Sequence, residues 1–201
     1  MDDKFDEIEN IGAHEIQQYQ QNRYPLFFLD VCEEIIPGKY VKAKKNFTYN
    51  EWYFPAHFAD EPNVPGFIQL EILAQTFIMT FLTIPEYKGK KTAFLDVENL
   101  CMRKKIVPGD TLIAEAFLEK FRRGIAEGYV TATVNGEKAL SVRLRIGVPD
   151  IVKMYTPPEK VKALYTRHVQ FDLFLCFLLF YVSQLQVQKI NLTNFKDHGG
   201  Y

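Results

Sequence analysis

Alternation of apolar and polar residues recurs through most of this chain. It marks two strands in "YPLFFLDVCEEIIPGKYVKAKKNFTY", parted by the turn signal "PG", and is clearest in "KYVKAKKNF". Four more alternating runs follow later: "TAFLDVENLCM", "TLIAEAFLEKF", "GIAEGYVTATV" and "KALSVRLRIGV", punctuated by "VPGD", "RRG" and "NGE". The "NGE" between the last two is a strong hairpin signal, because Asn-Gly tolerates the left-handed backbone of a two-residue turn. Between the two groups the period changes. From Phe67 to Leu82 the apolar residues cover almost the whole circumference of a helix, so the helix is buried rather than half-exposed. Pro65 and Gly66 set its start and Pro85 its end. Two strands, one greasy helix and four strands predict an α+β fold: a largely antiparallel sheet, strongly bent around a central helix.

The two ends of the chain read differently. Residues 1–22 are polar and rich in glutamine, and Ile8, Ile11, Ile16 and Tyr19 form a weak helical stripe that predicts a short surface helix. After Asp150 the segment "IVKMYTPPEKVKALYTRH" has a proline pair and then helical spacing, followed by "FDLFLCFLLFYVSQLQV". Its unbroken apolar run, Leu173 to Val182, is about half the ~20 residues that a membrane-spanning helix needs. The expected division is a domain over 1–150 and a helical extension over 151–201, packed on the domain or on a partner subunit, with no membrane span.

Composition narrows the function classes. A length of 201 residues supports one domain with a real core and an appendage. The formal net charge of −1 gives no overall field towards nucleic acid or a membrane surface, so any basic docking surface must be local. Cys32, Cys101 and Cys176 are far apart and odd in number, which argues against a disulfide framework or a zinc site and fits a reducing compartment. The acidic start "MDDKFDEIEN" has no apolar run of the kind found in a secretion signal. A soluble, cytoplasmic protein is the expectation.

Candidate chemistry concentrates in "HFADEPNVPGFIQLEILAQ", His57 to Gln75. Glu71 lies early in the apolar helix, with Gln75 one turn on along the same face. Removing an unpaired carboxylate from water costs several kcal/mol, and the usual relief is a pKa raised by up to ~3–5 units. A neutral carboxyl beside an apolar cavity is a general acid; alternatively Glu71 pairs with a cation or bonds Gln75, and the helical pattern leaves both readings open. His57 stands between prolines and among aromatics in the segment that leads into the helix, and an imidazole titrating near ~6.5 can accept a proton at neutral pH. At the helix start, the N–H groups near Gly66 lack intrahelical acceptors and lie at the positive end of the macrodipole, where an oxygen gaining negative charge is stabilised. Base, acid and oxyanion donors are the parts needed to eliminate water from a 3-hydroxy carbonyl compound.

With these residues in view, the chain resembles the (3R)-hydroxyacyl-acyl-carrier-protein dehydratases, the FabZ-like hotdog enzymes. "NRYPLFFLD" looks like the family's opening strand, and "HFADEPNVPGFIQLEILAQ" fills every fixed position of its H-F-x-x-x-P-x-x-P-G-x-x-x-x-E-x-x-A-Q core. "VPGD" and "EKFRRGIAEG" follow in order, so the resemblance covers roughly residues 15–148. It implies a hotdog fold, and dimers of hotdogs that assemble further into hexamers, as trimers of dimers. It also implies a site at the dimer interface, with His57 from one subunit and Glu71 from the other. Gly66 would polarise the thioester and Gln75 would support the glutamate. The implied substrate arrives on the phosphopantetheine arm of acyl carrier protein, with no metal or organic cofactor. Lys120, Arg122 and Arg123 are the candidate docking surface for that acidic carrier; as a group of charges they read equally as a solvated strand end.

The chain departs from the family pattern at several positions. Asn22 replaces a histidine before "RYP", Ala56 replaces the glycine before His57, and Lys105 replaces a proline. "FLDVE" at Phe94–Glu98 replaces "FAGID" near the expected acyl tunnel, which bears on chain length. Related dehydratase/isomerases usually carry aspartate where Glu71 stands. Two other readings are a hotdog thioesterase, using a helix carboxylate to activate water, and a non-catalytic hotdog that binds acyl chains or serves as a structural subunit. The ordered histidine-to-glutamate motif argues against hydrolysis, which does not require that pair.

Overall fold

The computed structural model describes residues 5–58 and 60–149; the expected helical extension over 151–201 lies outside the described residues. Seven strands run through them: β1 (Ile8–Gly12), β2 (Val31–Ile36), β3 (Tyr40–Asn46), β4 (Ala93–Met102), β5 (Thr111–Arg122), β6 (Ile125–Val134) and β7 (Glu137–Gly147). The helices are α1 (Ala13–Ile16), α2 (Tyr53–His57) and α3 (Gly66–Leu82), with a 3-10 turn at Pro85–Tyr87. The strands make one sheet in the order β1-β2-β3-β5-β6-β7-β4, antiparallel at every pairing. Helix α3 touches β2, β3, β5, β6 and β7, so the sheet curls around it. This is the expected α+β hotdog arrangement.

Side-chain size explains how closely helix and sheet fit. In β3, β6 and the first half of β5 every second residue is buried, and the inward positions are mostly small: Ala43, Ala114, Ala116, Ala126 and Ala132. Small residues let α3 approach, and its own Ile72, Leu73, Phe77 and Phe81 fill the space, all fully buried. Burying a side chain of that size contributes roughly 1.5–3 kcal/mol. The helix also buries three threonines without orphaning a hydroxyl. Thr76, Thr80 and Thr83 donate to the carbonyls of Ile72, Phe77 and Met79 at 2.7–2.9 Å.

Gly128 marks the tightest approach. A Cβ there would lie 2.1 Å from the Phe117 carbonyl oxygen and 2.7 Å from Phe77 Cε2, opposite the β-bulge between Leu118 and Lys120. Backbone cannot swing aside as a side-chain tip can. Gly128→Ala is therefore expected to destabilise the fold by about 3 kcal/mol, read as a lower urea midpoint. An unchanged midpoint would contradict this packing.

Both predicted tight turns are present. Arg123 and Gly124 (φ 52° and 75°) join β5 to β6, and Asn135 and Gly136 (φ 53° and 82°) join β6 to β7. Positive φ at both central positions matches the right-handed twist of the flanking strands. The "VPGD" turn works differently, because β4 pairs with β7 and not with β5. Gly109 takes φ 98°, the Asp110 N–H donates to the Val107 carbonyl at 3.1 Å, and the Asp110 carboxylate accepts from the Val107 N–H and from Asn135. The motif therefore braces a crossover between strands at opposite parts of the sheet.

Two expectations need correction. The isoleucine stripe near the N-terminus is a strand followed by a single helical turn: β1 pairs with β2, and Asn10 at φ 52° breaks strict alternation so that Ile8 and Ile11 both reach the core. The "NRYPLFFLD" stretch is not a strand before Val31. Its backbone is held by a side chain, Gln75, whose Oε1 accepts from the Phe28 N–H and whose Nε2 donates to the Leu26 carbonyl. His57 ends the short helix α2. Among the described residues no helix is long and apolar enough to cross a membrane.

Candidate active site

Helix α3 starts where the sequence predicts. Pro65 is extended (φ −55°, ψ 141°), and its carbonyl accepts from the N–H groups of Ile68 and Gln69 at 3.0 and 3.1 Å. The N–H groups of Gly66 and Phe67 precede these first helical bonds and point out of the positive end of the helix. A Cβ at Gly66 would come within 3.2 Å of Met102 Sδ, so glycine relieves crowding at this end. The segment before the helix is tied down twice. Val64 donates to the Ile106 carbonyl at 2.9 Å, and buried Gln69 donates through Nε2 to the Val64 carbonyl at 2.7 Å.

Glu71 follows one and a half turns into the helix. Its Oε1 accepts from Gln75 Nε2 at 2.9 Å and from Asn22 Nδ2 at 3.0 Å. Gln75 itself is almost fully buried, and its contacts to Leu26 and Phe28 fix which end of its amide faces Glu71. Burial pushes the Glu71 carboxyl above its ordinary range, while the donors from Gln75 and Asn22 pull the other way and lose. Glu71 stands between two open clefts. One, of about 510 Å³, is lined by Asn22, Gln75, Ile78, Lys91 and Phe94 among others; the second, of about 300 Å³, by Leu26, Phe28, Phe67, Leu70 and Phe94. The carboxyl thus stands between a cleft of mixed polar and apolar lining and a smaller one whose other lining residues are all apolar.

His57 is held from the other side of the loop. Tyr53 and Phe54 anchor α2 in the core, which leaves the His57 end half-buried. Just before α2, Lys45 Nζ pairs with Glu51 at 2.7 Å and with Asp30 at 3.3 Å. The imidazole packs at a tilt of 32° against Phe58 with centroids 3.9 Å apart, and its Nδ1–H donates to the Asn63 carbonyl at 3.2 Å. A carbonyl only accepts, so in the neutral ring Nδ1 carries the proton and Nε2 has the lone pair. That is the form of a base.

The structure brings Glu71, Gln75 and Asn22 into one contact set and sets Gly66 at the head of the same helix. His57 lines neither of the two clefts around Glu71. Lys120, Arg122 and Arg123 are exposed at the end of β5 and in its turn, with Lys120 paired to Glu127 at 3.6 Å. In register, Arg122 faces Ile125, Ile125 faces Gly147 and Gly147 faces Ala93, so this turn shares a sheet end with Lys91 and Ala93 of the larger cleft.

A family model described as a FabA-like domain matches residues 21–143. The chain belongs to the FabA-like domain family. It is 44% identical over 130 residues to a protein of Enterococcus faecalis named 3-hydroxyacyl-(acyl-carrier-protein) dehydratase FabZ, covering 65% of this chain and 92% of that one. A protein of the same name from Clostridium novyi is 39% identical over 138 residues, covering 69% and 97%. Among solved structures, the dehydratase heterocomplex ApeI:P from Xenorhabdus doucetiae matches in fold with a TM-score of 0.61 at 13% identity, covering 71% of this chain and 97% of that one.

Within this family frame the departures acquire physical meaning. Lys105 forms an ion pair with Glu61, which ties the β4–β5 crossover to the loop after His57. Phe94, the first residue of the altered "FLDVE", lines both clefts. Asn22, which the motif reading left outside the site, touches the carboxylate directly. No spacing rule could have found it, since it lies 49 residues from Glu71 along the chain.

Proposed function

We propose that this chain is a 3-hydroxyacyl-acyl-carrier-protein dehydratase that converts a (3R)-3-hydroxyacyl thioester to the trans-2-enoyl thioester, with His57 and Glu71 as the proton-transfer pair. One observation carries the assignment of roles: a carboxyl raised by burial, held at one oxygen and bordered on one side by an apolar cleft. His57 Nε2 takes the proton from the carbon next to the thioester carbonyl. The N–H groups at Gly66 hold the carbonyl oxygen while it carries negative charge. The carbon–oxygen bond at the third carbon breaks, the double bond forms, and Glu71 gives its proton to the departing hydroxyl, which leaves as water. Side chains supply both proton transfers, so the proposal assigns no metal or organic cofactor.

The functional unit in this proposal is a homodimer, extending to a trimer of dimers. Among the described residues strand β4 pairs with β7 alone, and Phe94, Val97, Leu100 and Met102 are exposed along it. A long apolar edge of this kind invites a second sheet edge. In this proposal the second copy there supplies its own His57 to this chain's Glu71. The carrier's acidic surface is assigned to Lys120, Arg122 and Arg123, which share a sheet end with the larger cleft. Reversing the charge at Arg122 and Arg123 is expected to raise KM severalfold for carrier-bound substrate and to leave a short pantetheine thioester unaffected; an equal effect on both would contradict docking. Free Cys32 and Cys101 suit a reducing cytoplasm.

The direct test is to incubate the protein with a 3-hydroxyacyl thioester and follow both enoyl absorbance and free thiol. Enoyl formation without thiol release is the expected result. Thiol release would make the protein a thioesterase, and acyl binding without turnover would make it a non-catalytic hotdog.

A further inference from the structure

We propose that Asn22 is a positioning residue for the acid step: with Gln75 it holds Glu71 by Oε1 alone, so that the transferable proton resides on Oε2. The inference rests on the reading of Glu71 as the acid and adds which oxygen acts and what selects it.

Gln75 comes first, because its orientation is settled by the backbone. Its Oε1 accepts from the Phe28 N–H at 3.0 Å and its Nε2 donates to the Leu26 carbonyl at 2.7 Å. Turning the amide over would set oxygen against carbonyl and N–H against N–H. The remaining Nε2 hydrogen therefore points to Glu71 Oε1 at 2.9 Å, and Asn22 Nδ2 supplies a second hydrogen at 3.0 Å. An oxygen facing two N–H donors has no room for a proton of its own. In the neutral carboxyl, Oε1 is the carbonyl and Oε2 the hydroxyl. Among the described residues no side chain or backbone group bonds Oε2, which leaves it for the departing hydroxyl.

The surroundings add few competing charges. Among the described residues around Glu71 in the larger cleft only Lys91 is ionisable, and the smaller cleft offers Leu26, Phe28, Phe67, Leu70 and Phe94. Asn22 and Gln75 do not titrate. Asn22 thus contributes a donor without contributing a second proton, and it steadies the carboxylate left after transfer.

The experiment compares the protein with Asn22→Leu and with Asn22→Asp, which keeps the shape but replaces the donor by an acceptor. Asn22 is half-buried, so both variants are expected to fold. Losing a donor to the charged form should move the basic limb of kcat upwards by about one pH unit and lower kcat severalfold. Infrared difference spectra give a readout independent of turnover. The neutral-carboxyl band that Glu71→Gln removes should shift to higher frequency in Asn22→Leu, as its carbonyl loses a donor. A basic limb and a carboxyl band both unmoved in the two variants would overturn the role of Asn22 while leaving Glu71 as the acid. Absence of any band that depends on Glu71 would overturn the acid reading itself, and this inference with it.

Discussion

Glu71→Gln lowers dehydration by about a thousandfold, the scale of a lost general acid, while the protein folds as before. The exchange keeps the shape of the side chain and an oxygen for Asn22 and Gln75 to bond, and removes only the acidic proton. Stability separates the two effects by its sign. Because burial raises the Glu71 carboxyl in the folded state, its stabilising share is present below the unfolded carboxyl range and is lost as pH rises through the raised folded value. The glutamine variant should therefore lose less stability than the parent across that interval in urea titrations. Activity of the parent should fall over the same interval, since the acid must be neutral to act. A variant that keeps more than a tenth of the parent rate would remove Glu71 from the acid role.

His57→Ala is expected to cost a similar factor, about a thousandfold, through loss of the base. The Nδ1–H bond to the Asn63 carbonyl commits the lone pair to Nε2 and orients the ring, and no other imidazole belongs to the motif. Helix α2 should survive the change, because Tyr53 and Phe54 hold it and Lys45 grips Glu51 just ahead of it. Unfolding curves matching those of the parent, with enoyl formation nearly abolished, are the predicted pair of results. Near-normal turnover would assign the proton abstraction elsewhere.

Much of the fold was legible because burial writes itself into periodicity. Helix α3, with core residues on nearly every side, could be read within one residue of its observed start, and the "NGE" turn announced its own backbone. The misreadings share a cause, which is structure imposed by contacts remote in sequence. Ile8 and Ile11 have a helical spacing, yet pairing with β2 and a left-handed Asn10 make them strand residues. The stretch around Pro25 looks like a strand, but a glutamine from α3 takes its backbone groups. At the site, His57, Gly66, Glu71 and Gln75 stand in one short motif and could be read together. Asn22 could not, because only the closed fold brings it to the carboxyl.

The proposed mechanism depends most on an imidazole of one copy working with a carboxyl of another. Mixed dimers of differently tagged His57→Ala and Glu71→Gln chains test this directly. Each parent should be nearly inactive, whereas the purified heterodimer, with one of its two sites intact, should regain about half the activity of the unmodified dimer. A heterodimer as inactive as its parents would contradict the shared site.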